Sequence, residues 1–389
     1  MANLGTIDQE KKAAREPGLD LLRSLAILLV ALFHMSLEPA PEVLRVIQQC
    51  GWMGVDLFFV LSGFLIGSQL LRPYLRNEKP SLWTFYLRRA FRVLPAFWVV
   101  LLVYVLVPGF RERPNLPDVW RFLSFTQNLG LEAPAAFSHA WSLCVEEHFY
   151  LFFPILVLWL MRKPSLGKAI GVAATIFVAG LIIRWMIWAH YLAPIADDSN
   201  NERLFIVRYW GMIYFPTYAR LDGLLVGVLL AGIRIFRPAW WSYAMARRAL
   251  VFVIASILLG LAIWSCWEIY SVSAVVWGFP LIAFGFGFLL VAVAGLPVRI
   301  PGATIGATLA YSTYLTHKAV MHLDRVYLGN LLSVNWFVSL VTYAGSCLIV
   351  ASVLYLCIEG PFLRLRERIF SPIRARKSAL ATAPGLAES

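Results

Sequence analysis

The chain has 389 residues, of which 60% are hydrophobic and only 14% charged, against about 25% charged in a soluble domain. It holds 15 Trp, 15 Tyr and 26 Phe, with a formal net charge of +12. These values exclude a globular domain with a single membrane anchor, and they specify an all-α, polytopic integral membrane helical bundle.

A basic N-terminal segment, residues 1–17, carries Lys11, Lys12 and Arg15 before the first apolar run. This imitates a secretory leader. Cleavage is not expected, because the run contains Arg23 and His34 and because Pro41 follows Ala40 where a cleavage site would be sought. Ten apolar segments are expected to form helices: 19–37, 52–71, 90–108, 141–161, 167–190, 214–235, 248–267, 273–295, 304–324 and 334–358. Each is close to the ~20 residues that cross a bilayer. The first is short and the ninth is less apolar than the rest. The basic tail 363–389 is too short for another domain.

In the first segment, eleven steps separate Arg23 from His34. At about 100° and ~1.5 Å per residue they return to nearly the same face, roughly 16 Å further on. An arginine at the membrane edge and a histidine deep on one stripe suggest two grips on one long ligand. The second segment carries Asp56, with Val60, Gly63 and Gly67 on its face. The third begins with Arg89 and Arg92 at i and i+3. That pair serves either as a membrane-edge anchor or as a phosphate clamp. The fourth carries Cys144, Glu146 and Glu147, the sixth Arg220 and Asp222 with Gly223/Gly227, and the ninth His317 and Lys318. The two Gly pairs allow close helix approach. His139, His190 and His322 lie near segment ends and are read as interfacial.

Lys and Arg fall on alternate sides of these segments by roughly three to one, which puts both termini in the cytoplasm. The positive charge is therefore a topology signal, and no nucleic-acid partner is expected. With that orientation, His34, Asp56, Glu146, Glu147, Arg220, Asp222 and His317 all fall in one layer of the outer half. A charge at a helix centre costs roughly 2.5–3.5 kcal/mol, so the sum rivals a folding free energy of ~5–15 kcal/mol. Such groups must pair or line a cavity. Arg220 and Asp222, two residues apart, point away from each other, and each needs a partner on another helix. The outer connections 108–140 and 191–213 either cover a site or are plain linkers. The five cysteines are scattered without metal-ligand spacing, so neither disulfide nor metal is expected.

Seven stretches occur in order: Gly18–Arg23 through His34; Val55–Leu65; Tyr86–Arg92 with Pro95; Trp141–Tyr150; Ala219–Leu225 with Gly227; Tyr311–His317; and Glu359–Phe362. As a set they resemble the membrane acyltransferase family 3, whose members O-acylate sugars and related molecules. The resemblance spans 18–362. It implies an enzyme of the cell (inner) membrane that moves an acyl group, acetyl first among them, from cytoplasmic acyl-CoA to a hydroxyl of a glycan acceptor outside. Acyl-CoA is then the co-substrate, no metal is needed, and the partners are membrane lipid and a carbohydrate acceptor, with a homo-oligomer left open. The family's Arg-x10-His motif falls on Arg23 and His34, its Arg-x-x-Arg motif on Arg89 and Arg92, and its paired glutamates on Glu146 and Glu147. Arg23, Arg89 and Arg92 are expected to hold the nucleotide and phosphates, and His34 to act as general base. One of Asp56, Glu146 and Glu147 is expected to orient the imidazole, and Arg220 or His317 to stabilise the oxyanion. A Ser62 or Cys144 nucleophile is less favoured. Ser24 stands where the family has glycine, and His148 where it has glutamine. The competing class is a transporter or flippase, which also gathers charges in one layer but more often shows two related halves with interrupted helices.

Overall fold

The computed structural model describes residues 16–131, 134–297 and 300–370. Lys11, Lys12, Arg15, Arg299, Arg374, Arg376 and Lys377, used above to orient the chain, lie outside the described residues, as do most of segment 1–17 and of tail 363–389.

Ten helices correspond to the ten apolar segments: α1 Pro17–His34, α2 Gly54–Leu71, α3 Leu82–Leu106, α4 Trp141–Leu160, α5 Leu166–Ile187, α6 Asp222–Phe236, α7 Arg248–Ser265, α8 Phe279–Val293, α9 Ala303–Tyr327 and α10 Trp336–Leu354. No strand occurs among the described residues. Side chains close several helix starts. Ser81 Oγ accepts from Thr84 N–H ahead of α3, and Asn335 Oδ1 accepts from the N–H groups of Phe337 and Val338 at α10.

Among the described residues, eight helices are long and apolar enough to cross a bilayer, and nine if a bent pair counts as one span. Two members of the sequence-based set therefore differ from the rest. The sixth helix begins at Asp222, not near Tyr214, because Pro216 adopts an extended conformation and breaks the chain there. Arg220 consequently sits in an irregular linker and not on the helix. At its other end α6 turns by 106° into a short helix, Pro238–Ala246. The other is α9, 25 residues long but polar along one face. It is shielded by packing between α1 and α10.

The most extensive helix pair is α2 with α6. Its closeness depends on the Gly pairs. A Cβ on Gly63 would collide with the Leu224 carbonyl, and one on Gly227 with the Val60 carbonyl. Asp56, Val60, Gly63 and Gly67 are all buried, so this face of α2 points into the bundle. By contrast α5 turns most of its side chains outward. Ser24 hydrogen-bonds to the Ala303 carbonyl at 2.5 Å and so ties α1 to the start of α9.

Gly227→Val should push α2 and α6 apart and lower stability by roughly 1–3 kcal/mol or more. Gly232→Ala, on the same helix with open space around it, should leave the thermal unfolding midpoint in detergent unchanged. Equal midpoints for the two variants would refute the close-approach role.

Candidate active site

Two ion pairs lie at the centre of the bundle. Arg220 Nη2 donates to both carboxylate oxygens of Asp56, at 2.8 and 2.9 Å. Arg184 donates to both oxygens of Asp222, at 2.7 and 3.2 Å, and to the Ala219 carbonyl at 2.8 Å. Both guanidiniums are buried. Arg220 and Asp222 thus each have a partner on another helix. Arg184 is the one that sequence reasoning passed over, although a lone arginine inside an apolar segment carries the same demand for a partner. The Arg220 guanidinium also lies against the rings of Trp141, Tyr214 and Phe279, at 5.1, 4.6 and 4.1 Å.

Trp141 and Tyr214 also line a cavity of about 310 Å³. His34 lines it, together with His139, Lys318, Trp52 and Trp210. His34 Nδ1 lies 2.9 Å from the Val30 carbonyl. A carbonyl oxygen only accepts, so Nδ1 carries the proton and Nε2 keeps the basic lone pair of a neutral ring. The His317 ring packs 4.9 Å from His34 and 4.8 Å from His139. By the same argument, His317 Nδ1 donates to the Tyr314 carbonyl at 2.8 Å and His139 Nε2 to the Leu315 carbonyl at 3.2 Å. Lys318 Nζ donates to Ser138 Oγ at 2.8 Å and pairs with Glu112 at 3.3 Å.

A second cavity, about 340 Å³, lies toward the end of the bundle that carries the arginines. Arg23, Arg89 and Arg92 all line it, with Ser62, Glu146 and Tyr150. Arg89 stacks 3.8 Å from the Tyr150 ring and lies 3.7 Å from Glu146 and 3.9 Å from Glu147. Ser62 Oγ donates to Glu146 Oε1. A further groove, which shares Arg23 and Gln69 with this cavity, adds Arg72, Arg76 and Arg234. Among the described residues Tyr314 is the one side chain that lines both cavities. Its hydroxyl bonds to Ser142 Oγ at 2.5 Å and donates to the His139 carbonyl at 2.6 Å.

The single charged layer expected from the sequence is therefore divided. His34 stands at the first cavity with His317 enclosed behind it, Asp56 and Arg220 lie behind its aromatic wall, and Glu146 and Glu147 lie with the arginines. The expected carboxylate–imidazole contact does not form. Among the described residues no carboxylate is hydrogen-bonded to His34: Asp56 is committed to Arg220, and Glu146 to Ser62 and Arg89. The backbone carbonyl one turn back does the orienting instead. Arg220 does not reach the cavity as an oxyanion donor, and His317 in this tautomer has no spare N–H. His139 is not interfacial; it is buried in the histidine cluster. Cys144 is buried with its thiol on the Ala140 carbonyl. His148 shares a hydrogen with Thr217 Oγ1 at 2.7 Å, which holds the linker ahead of Arg220. Among the described residues no three His, Cys, Asp or Glu side chains converge as a metal-ligand set.

The family described as an acyltransferase domain matches residues 16–356. The O-acetyltransferase OatA of Staphylococcus aureus (strain MRSA252) is 26% identical over 94% of this chain and 60% of its own length. OatA of strain NCTC 8325 / PS 47 is 30% identical over 59% of this chain and 36% of its own. The chain thus spans no more than about 60% of the length of these curated relatives. No solved structure matches it.

Asp56→Ala should leave Arg220 buried without its counter-charge and cost about 3–5 kcal/mol, whereas Asp56→Leu with Arg220→Met should recover most of it. Thermal unfolding of the three forms checks this. A double variant no more stable than the single one would contradict the assignment.

Proposed function

The chain belongs to the family described as an acyltransferase domain, and on that premise we propose that it transfers an acetyl group from acyl-CoA to a hydroxyl of a glycan acceptor. The observation that carries this reading is the placement of two cavities back to back at Tyr314, one with four arginines (Arg23, Arg89, Arg92 and Arg366) and the other with His34. A transporter or flippase would not need a phosphate-binding cluster aligned with a neutral imidazole. The names of the S. aureus relatives support acetyl and oxygen as the group and the acceptor atom.

The arginine end faces the cytoplasm in this reading, since loops rich in Arg and Lys stay inside. The protein then sits in the cell membrane with both termini cytoplasmic. Arg89 and Arg92 hold the donor's phosphates, with Arg23 beside them; planar guanidiniums suit bidentate phosphate contacts. Glu146 and Glu147 hold Arg89 in place. The pantetheine arm runs outward past Tyr314, whose side chain has to turn aside, and brings the thioester to the outer cavity. There His34 Nε2 takes the proton of the acceptor hydroxyl. The alkoxide-like oxygen attacks the thioester carbonyl and forms the C–O bond. The C–S bond breaks, and the thiolate leaves with the proton returned from His34. The transfer is direct and balanced without a covalent acyl-enzyme.

Purified protein supplied with labelled acetyl-CoA and envelope glycan should release CoA. His34→Ala should abolish this release at unchanged abundance and unfolding temperature, since general-base catalysis contributes ~100- to 10,000-fold. Retained release would refute the base assignment. Arg89→Gln with Arg92→Gln should weaken acetyl-CoA binding at least tenfold, as expected for lost charge-assisted contacts. Unchanged affinity, measured by titration in nanodiscs, would refute the phosphate site.

A further inference from the structure

The acyl-transfer reading leaves the acceptor's chemistry open, and the lining of the outer cavity narrows it. Two cationic side chains line that cavity, Arg113 and Lys318, and among the described residues no carboxylate does. Lys318 is balanced by Glu112, which stands behind the wall. Arg113 is exposed at the rim, and among the described residues it has no ion-pair partner. Each of the three histidines nearby has one ring N–H committed to a backbone carbonyl. Trp52, Trp141 and Trp210 line the cavity as well, aromatic side chains of the kind against which a pyranose ring packs its C–H groups. The cavity therefore combines a stacking surface with an excess of positive charge at its mouth, in a setting where low-dielectric walls strengthen attraction for an anion.

We propose that the acceptor is a sugar bearing a negatively charged substituent, a carboxylate or a phosphate. Arg113 clasps that substituent at the rim, with Lys318 deeper in the same wall, and the ring stacks on the tryptophans. The substituent fixes which hydroxyl lies at His34 Nε2. A neutral sugar can fill the aromatic part but leaves the Arg113 fork unpaired. The proposal rests on the acyl-transfer reading for the identity of the pocket as the acceptor site.

The test uses the full chain in nanodiscs and three probes of matched ring size: glucose, glucuronate and glucose 6-phosphate. Saturation-transfer NMR suits the weak affinities of monosaccharides. Glucuronate, glucose 6-phosphate or both should bind roughly tenfold more tightly than glucose, the gain expected of one charge-assisted contact. The anion that gains identifies carboxylate or phosphate as the substituent. Arg113→Gln should remove the preference and Arg113→Lys should keep part of it. Arg203→Gln, an exposed change outside the cavity, should leave it intact. Glucose binding as tightly as both anions overturns the proposal. So does a preference that survives Arg113→Gln, an equal loss in Arg203→Gln, or no binding by any of the three sugars. The same nanodiscs are assayed for His34-dependent CoA release. Release without an anion preference refutes the anionic acceptor alone, whereas a preference without release refutes acyl transfer.

Discussion

A guanidinium enclosed in a membrane bundle has to find its counter-charge there, and Arg220 finds it in Asp56. The same requirement joins Arg184 to Asp222. Together the two pairs connect α2, α5, the linker after Pro216 and the first turn of α6. Their influence on the outer cavity is indirect. Arg220 offers its charged plane to Trp141, Tyr214 and Phe279, and such contacts favour a fixed ring position. Trp141 and Tyr214 in turn form the cavity wall. A charge that never touches the cavity thus sets its shape. The Gly63/Gly67 and Gly223/Gly227 pairs belong to the same device, because only backbones in close contact bring Asp56 within reach of the linker.

The polarity of α9 follows from its place in this architecture. Tyr311, Tyr314 and Lys318 stand at i, i+3 and i+7, one stripe of a helix. Tyr311 lines the cavity of the arginines, Tyr314 lines both cavities, and Lys318 lines the outer one. Tyr311 also donates to the Val93 carbonyl, and Ser312 to Glu359. A helix that serves two polar cavities in series cannot be uniformly apolar, and it stays in the membrane because α1 and α10 cover it. This is why the ninth helix, among the longest described, is less apolar than the helices that are apolar enough to cross a bilayer unaided.

Much of this was legible in the residue pattern. Ten helices could be read from apolar runs, and the separate partners of Arg220 and Asp222 from their spacing of two. Arg23, Arg89 and Arg92 line one cavity. What could not be read was rotation about the helix axis. Counting residues from a membrane edge gives depth, and Glu146, Asp56 and His34 were similar in depth. It does not say that Glu146 turns toward Arg89 and Ser62, while Asp56 turns toward a linker residue. That linker was itself hidden, since Pro216 interrupts a run that composition alone makes continuous. His139 was misjudged for a related reason. It lies at a segment end by sequence, but a short 3₁₀ turn at Ser138–Ala140 folds it inward against Leu315.

Of the three clustered imidazoles, only one is suited to exchange a proton with a bound molecule. His317 is fully enclosed and His139 nearly so, and both have their N–H groups fixed on backbone carbonyls. Their rings pack edge to face and leave His34 little freedom to tilt. His34 alone combines partial exposure with a place on the cavity wall. Its backbone belongs to the helix that carries Arg23 into the other cavity. Eleven residues of rigid α-helix hold these two groups roughly 16 Å apart along the axis. A ligand gripped at Arg23 by a charged end therefore meets the imidazole only if it is long, narrow and flexible enough to pass Tyr314. In the proposed acyl transfer, this spacing would select the donor by length before any contact with the acyl group itself.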